Sequence, residues 1–403
     1  MKIASIGFQV QGGAGLSSFK LHREFRKLDQ DSRFFVGNDT ILSEHVDLIP
    51  TDNKHENDWW RLGTVPLKEG IQSIFTSGFS GKCQTSLNKI ADWADIILLR
   101  WITATVSDFQ VGQWAARRTP VVWCLSDMAP ITGGCHYSRE CTQYETGCQF
   151  CPIVASPFRG VPRRNVVRRA TLWRGITFVS PSNWLADRAK NSAICRESDV
   201  RVIRTGVELD IFKPQDPQQS KKDLGIPQGP KTLLFGANST SEERKGPDLL
   251  WKTLSSLIGQ GYRPDEIQVV MIGEGELHRD FQGVPVLSLG KIKSRRKLAS
   301  AYSAADVTVL PYKEDNLPNV LLESLACGTP VCGFSVGGIP DVLKEGVTGA
   351  LAVPLDPWDL ASSVRRTLDK PPCRSAVRKW AEENISVSDQ ARQYLELFKE
   401  LLG

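Results

Sequence analysis

Asp315 and Glu323 stand eight positions apart, joined by Asn316-Leu317-Pro318-Asn319 and the helical text Val320, Leu321, Leu325, Ala326. Pro318 suits a first helical position, where its missing N–H costs nothing. Gly328 and Pro330 punctuate the far end. The pattern predicts a helix over 318–327 preceded by a buried strand over 306–310. Asp315 then stands just before a helix N-terminus, and Glu323 lies about a turn and a half inside it. Backbone N–H groups at such an end suit an anion such as a phosphate. Ionised carboxylates beside them each accept several O–H donors and suit hydroxyl-rich groups. Glu314 falls one residue early for the same spacing.

Other residues point to related chemistry. Arg244-Lys245-Gly246 opens a helix, so Lys245 is a point charge beside N–H groups, suited to a diphosphate. Gln11-Gly12-Gly13-Ala14-Gly15 follows a strand and precedes a helix expected from Leu16 to Leu28; as a glycine loop it would present N–H groups to a phosphate, or serve as a plain tight turn. Gly273-Glu274-Gly275 and Leu289-Gly290-Lys291 end two further strands. Arg100, Trp101, Ser126 and Asp127 stand at strand ends, where ligands of parallel sheets bind, and His136 follows nearby. Asp127 could take a proton from a hydroxyl or merely orient it; a serine such as Ser126 cannot act as a base near neutral pH.

Cys135, Cys141, Cys148 and Cys151 read C-x5-C-x6-C-x2-C within an expected insertion over 128–157. Three states fit that spacing. One is a structural zinc, with His136 able to replace one ligand; the others are free thiols and disulfides. The stretch from Pro152 to Ala186 has no acid but carries Arg159, Arg163, Arg164, Arg168, Arg169 and Arg174. On a helix beginning at Pro162, Val166, Val167, Ala170 and Trp173 are expected inward and the arginines outward. Such a face fits either plain solvation or an anionic membrane surface.

These residues need elements to position them. Strands are expected near 2–8, 33–36, 95–101, 120–125, 176–179 and 200–204, with helices between, and the alternation repeats from 232 to 353. The polar run 205–229 reads as a hinge. The expected architecture is α/β: two doubly wound Rossmann-like domains facing a central cleft, with a short cysteine-containing insertion in the first. The first domain is placed at 1–208, with a C-terminal helix over 386–403 packing back on it, and the second at 209–385. A length of 403 residues with 41% hydrophobic content supports two such cores. No apolar run reaches the length of a membrane span, and the N-terminus lacks a signal-peptide pattern, so a cytoplasmic protein is expected, with the basic stretch offering a peripheral contact to the inner membrane face. A net charge of +5 calls for no nucleic acid.

The stretch from Glu314 to Val331, with Arg244-Lys245-Gly246, Leu289-Gly290-Lys291 and Gly337-Gly338-Ile339-Pro340, resembles the retaining glycosyltransferases of family 4, which have the GT-B fold. The resemblance covers most of residues 200–355. Ser126-Asp127-Met128 followed by Thr132-Gly133-Gly134-Cys135-His136 resembles a cysteine-containing subgroup that often makes exopolysaccharide or lipopolysaccharide units, of the colanic-acid type. The resemblance implies a hexosyltransferase that uses a nucleotide-diphosphate sugar donor and a saccharide or lipid-linked acceptor. Glu323 would bind the donor ribose and Asp315 the transferred sugar. Lys245 and the backbone of Leu317, Pro318, Asn319 and Val320 would hold the diphosphate, with Asn316 in the same segment and Gly290 lining the base pocket. Gly12, Gly13 and Arg244 complete the expected donor contacts. Arg100, Ser126, Asp127 and His136 would meet the acceptor, with Asp127 and Asp315 nearest the chemistry. The sequence departs from the family in two places: Ala237 stands where many members have an arginine, and Ser126 where many have a histidine. Arg244 is one replacement for the first. No metal is expected in the chemistry itself. A nucleotide-sugar epimerase of the same fold and a non-catalytic sugar-binding or zinc-organised scaffold are the alternatives.

Overall fold

The computed structural model describes residues 1–38, 45–51, 64–71, 73–80, 82–117, 119–239, 242–275 and 280–403. Two compact units emerge, Met1–Thr205 with Ser388–Gly403, and Gly206–Val387.

The first unit runs β1 (Lys2–Gly7), α1 (Gly12–Lys27), β2 (Asp31–Val36), β3 (Val46–Leu48), α2 (Gln84–Trp93), β4 (Ile96–Leu99), α3 (Asp108–Ala115), β5 (Val121–Cys124), α4 (Val161–Leu172), β6 (Thr177–Ser180), α5 (Asn183–Asn191) and β7 (Val200–Val202). All its strands pair in parallel, in the order β3-β2-β1-β4-β5-β6-β7. The central strands are apolar on both faces, as Ile-Ile-Leu-Leu of β4 shows, because helices cover both sides.

The second unit begins with α6 (Pro217–Leu224) and continues β8 (Lys231–Ser239), α7 (Pro247–Gly259), β9 (Ile267–Glu274), β10 (Asp280–Phe281), β11 (Val284–Ser288), α8 (Arg295–Ala304), β12 (Val307–Leu310), α9 (Asn319–Ala326), β13 (Val331–Phe334), β14 (Gly349–Ala352), α10 (Pro357–Asp369) and α11 (Arg374–Asn384). Its order is β10-β11-β9-β8-β12-β13-β14, with only the short β10 antiparallel. The last helix, α12 (Val387–Leu402), lays Ala391, Tyr394 and Phe398 on Ile3, Phe25 and Leu98 of the first unit. The strand order reverses beside β1 in the first sheet and beside β8 in the second. Open α/β sheets bind their ligands at the carboxyl ends of strands at such switch points.

Several expectations need correcting. The glycine run is not a loop before α1: the helix begins at Gly12, so Gly12 and Gly13 form its exposed first turn, and Leu16 is 47% exposed rather than inward. The polar run read as a hinge contains α6, capped by Asp216 at one end and by left-handed Gly225 at the other. Pro318 is the N-cap of α9, with φ −65° and ψ 129°, so that helix starts at Asn319. On and beside α4, Val166 and Trp173 are buried and Arg163 and Arg164 exposed as expected, but Val167 is 60% exposed and Arg169 is buried, so these two residues exchange faces. The reason is a carboxylate on the neighbouring helix. Asp108 of α3 accepts from Arg169 Nε at 2.9 Å and Arg168 Nη2 at 2.6 Å. A second nitrogen of Arg169 donates to the carbonyls of Ala129 and Thr132, both at 2.8 Å. A buried arginine needs partners of this kind.

Candidate functional site

In the second unit, β12 is wholly buried and delivers Pro311-Tyr312 to the switch point beside β8. The Tyr312 hydroxyl donates to the Gly236 carbonyl at the end of β8. The chain then turns through Glu314 and Asp315 into α9. Two glycines make this turn. Gly246 has φ +65°, and a Cβ there would lie 1.9 Å from the Pro311 carbonyl oxygen; Gly337 has φ +57°, and its Cβ would lie 1.7 Å from the Asp315 carbonyl oxygen. Neither position admits a side chain.

Asp315 is buried, and its Oδ2 accepts from Lys245 Nζ at 2.6 Å and Arg244 Nη1 at 2.8 Å. Arg244 is anchored further by Glu242 at 2.6 Å and by the Glu314 carbonyl at 2.9 Å. Lys245 Nζ lies 4.1 Å from the centre of the Tyr312 ring, a cation–π contact. Burial alone would push the Asp315 carboxyl upward, but Lys245 and then Arg244 overcome it and hold the group below its ordinary value. Burial lowers Lys245 from its ordinary value and Arg244 adds to that, while Asp315 pulls the other way. The two cations grip the carboxylate of Asp315, while Arg244 meets Glu314 at its backbone carbonyl.

No side chain caps the N-terminus of α9, and no acid lies in its first turn. That end therefore suits an anion. Glu323 sits half-buried one turn into the helix, with Oε2 accepting from the buried Tyr302 hydroxyl at 2.9 Å. Asn316, Leu317 and Pro318 are buried between Asp315 and the helix, and Asn319 and Val320 are half-buried in its first turn. Gly290, with φ +62°, accepts from Gly273 N–H at 3.0 Å and ties the ends of β9 and β11 together. Ala237 is half-buried in β8.

In the first unit, Trp101 follows β4, and Ser126 and Asp127 follow β5. Asp127 Oδ2 accepts from Trp101 Nε1 at 2.9 Å and lies 2.6 Å from His136 Nδ1, while Oδ1 accepts from Ala129 N–H at 2.9 Å. His136 Nε2 lies 2.8 Å from the Thr76 hydroxyl, which in turn meets Thr103 at 3.0 Å. Both nitrogens of the buried His136 are thus engaged, so it is not placed to replace a cysteine as a metal ligand. Ser126, Asp127, Trp101, Thr76 and Thr103 line a concavity of about 400 Å³. Arg100 lines the same concavity, but its side chain stands outside the Asp127 network, with Nε donating to Ser18 of α1 at 3.0 Å. Sequence reasoning placed Trp101 at a strand end but missed the supporting roles of Thr76, Tyr302 and Tyr312, since an aromatic or threonine reads simply as core.

Residues 230–370 match the family model described as glycosyl transferases group 1. The chain is 29% identical over 215 residues to D-inositol 3-phosphate glycosyltransferase of Nocardiopsis dassonvillei, covering 50% of each protein. It spans about half the length of the curated relatives it matches. Among solved structures it resembles sucrose-phosphate synthase from Thermosynechococcus elongatus, with a TM-score of 0.69 at 17% identity, over 99% of this chain and 98% of that one. It also resembles Anabaena HepE in complex with UDP, with a TM-score of 0.69 at 16% identity, over 99% and 100%. These likenesses establish the GT-B fold, as two Rossmann-like parallel sheets, for the whole chain. Among the described residues, no helix is long and apolar enough to cross a membrane.

Proposed function

We propose that the chain is a retaining glycosyltransferase of family 4 that moves a sugar from a nucleotide-diphosphate donor to a hydroxyl of a saccharide or lipid-linked acceptor. The observation that carries this is the convergence of Lys245 and Arg244 on Asp315 beside the uncapped N-terminus of α9, at the switch point of a group 1 glycosyltransferase domain. The donor diphosphate would engage Lys245, Arg244 and the helix N–H groups, which stabilise it as it leaves. Arg244 would supply the contact that Ala237 cannot. Asp315 would orient the hydroxyls of the transferred sugar and Glu323 those of the ribose. The bond from the anomeric carbon to the phosphate oxygen breaks and the bond to the acceptor oxygen forms on the same face. The acceptor proton leaves on the departing diphosphate. This route needs placement and charge stabilisation rather than a protein nucleophile or a metal.

The first unit would hold the acceptor against Ser126, Asp127 and the Trp101–His136 network. Asp127 already binds Trp101, His136 and Ala129, so we assign it to shaping that pocket rather than to proton transfer. Gly12 and Gly13, at the exposed start of α1, remain candidates for an anion contact. The cysteine-bearing segment favours the exopolysaccharide or colanic-acid subgroup, on the inner face of the cytoplasmic membrane. Arg163, Arg164 and Arg174 stay exposed on or beside α4 and would meet the anionic surface. A second reading, a polyol phosphate acceptor, rests on the name shared by the curated relatives.

A thermal-shift screen across nucleotide sugars tests the donor assignment, because a ligand that binds only the folded state raises the melting temperature. One nucleotide-sugar class should raise it, and Asp315→Ala and Glu323→Ala should each remove most of the rise. Full retention in both variants would rule out this donor site. Transfer to saccharide, lipid-linked and polyol phosphate acceptors then separates the two readings. Conversion of the nucleotide sugar without any acceptor would indicate an epimerase.

A further inference from the structure

We propose that Cys135, Cys141, Cys148 and Cys151 form a structural zinc site in the first unit. The four thiols, spread over seventeen residues, line a single cavity of about 530 Å³ together with Phe75, Tyr144 and Pro162. No aspartate or glutamate lines it, and Arg139 does. Four cysteine sulfurs with no carboxylate among the described lining residues select zinc over magnesium or calcium. All four are free cysteines.

The segment that carries them has little secondary structure to hold it. Its regular pieces are three-residue 3-10 turns at Ala129–Ile131, Gln143–Glu145 and Phe158–Gly160. Its backbone is bent at several positions. Arg139 and Cys148 adopt φ of 52° and 54°, and Gly147 adopts 114°. Gln143 organises the C-x2-C half: its carbonyl accepts from Cys148 N–H at 2.7 Å and its side-chain oxygen from Phe150 N–H at 3.1 Å. Cys135 pairs with Phe75 in an antiparallel bridge.

Among the described residues, no group of three His, Cys, Asp or Glu stands preassembled for a metal ion. Binding therefore requires the thiols to rotate about χ1 into the cavity they share, a change each side chain can make between staggered positions. Four thiolates around zinc leave a net charge of −2. Arg139 at the wall, Arg169 beside Cys148, and Arg188, which donates to Tyr144 at 3.1 Å, supply positive charge to match. His136, one residue after Cys135, is occupied by Asp127 and Thr76, so the ligand set is the four sulfurs. With no open position, the ion would be structural.

The test uses the full chain, purified reduced and without chelator. Elemental analysis should find about one zinc per chain, and cobalt titration of the metal-stripped protein should produce thiolate-to-cobalt charge-transfer absorption. Cys148→Ser and Cys151→Ser should each lose the metal, while Cys83→Ser and Cys373→Ser, outside the cavity, should keep it. If the first two variants do not fold, wild type still decides. A strong chelator should lower its melting temperature, and zinc but not magnesium should restore it. Wild-type protein that carries no zinc, develops no cobalt–thiolate band and ignores the chelator would overturn the site. So would a disulfide between any of the four cysteines in protein kept reduced. Neither result would bear on donor binding in the second unit.

Discussion

Asp315 and Asp127 are both buried acids that follow sheet strands, yet they are held in opposite ways. Asp315 is gripped by two cations, Lys245 and Arg244. Asp127 is held by an indole N–H, a histidine ring and a backbone N–H. Cations that balance a carboxylate can be taken over by another anion, because the charge they neutralise is exchangeable. An indole and a backbone amide cannot be redirected without unmaking the fold around them. The second unit thus displays a site built to exchange partners, and the first a site built to keep its shape.

The largest effect should come from breaking the exchangeable side. Lys245→Ala removes the cation nearest Asp315, and transfer from the nucleotide sugar should fall by about 10²–10³ in kcat/KM, the usual loss for one charge-stabilising donor. The melting temperature should fall as well, because Asp315 is left buried with only Arg244 to hold it, and the nucleotide-induced shift should be lost. His136→Ala should lower the melting temperature while leaving the nucleotide-induced shift intact. Steady-state kinetics and thermal shifts on both variants check the contrast. Equal loss of the nucleotide shift in the two would erase the distinction drawn here.

Next in size is the rigidity of the first unit. Arg169→Ala leaves Asp108 buried with only Arg168 to hold it, and frees the carbonyls of Ala129 and Thr132. Breaking one partner of a buried ion pair costs about 3 kcal/mol or more. Urea unfolding should show that loss, and Arg168→Ala, at a more exposed position, should lose less. An Arg169→Ala protein as stable as wild type would mean that the α3–α4 ion pair does not brace the segment leading to His136.

The same contrast decided what could be read from sequence. The alternation of apolar strands and helices is written locally, so the two-sheet α/β class was legible. So was the Asp315–Glu323 pair, because its acids, proline and helix lie within one short stretch. Arg244 and Lys245 are adjacent, but their meeting with Asp315 depends on β8 and β12 being neighbours in the sheet, which no local pattern states. The first unit was harder. Arg169 reads as one of six arginines in an acid-free stretch until Asp108, 61 positions earlier, is packed against it. Arg100 reads as a strand-end residue, and its bond to Ser18, 82 positions earlier, is written in no local pattern. Gly12 and Gly13 read as a loop because glycine disfavours helix interiors, yet a first turn tolerates them.

A third prediction concerns acid. His22 on α1 is buried against Ser32, with Nδ1 at 2.8 Å from its hydroxyl. Burial, then Arg26, His45 and Arg23, lower it from 6.5 to about 4. The unfolded chain takes up this proton near 6.5 and the folded chain only near 4. Stability should therefore fall as the pH is lowered across that window, by about 2–3 kcal/mol. Asp315, held below its ordinary value, keeps its charge throughout the same window. Denaturant melts at pH 7 and at pH 4.5 should reveal the loss, and His22→Asn should flatten it. A wild-type profile as flat as that of the variant would show that His22 is not the titrating group.

The smallest effect should fall on the support behind the exchangeable site. Tyr302 places its hydroxyl 2.9 Å from Glu323, the acid proposed to bind the donor ribose. Burial and then Glu323 raise its pKa well above the ordinary value, so it remains a donor across the working pH range. Tyr302→Phe keeps the ring in the core and removes one hydrogen bond to a charged group, worth about 1.5 kcal/mol. Glu323 would then lose its fixed direction without losing its charge. If Tyr302 positions that carboxylate for the donor, KM for the nucleotide sugar should rise by roughly tenfold while kcat holds, since ribose binding is equal in ground and transition states. A fall in kcat at constant KM would instead place Glu323 close to the reacting sugar, beside Asp315.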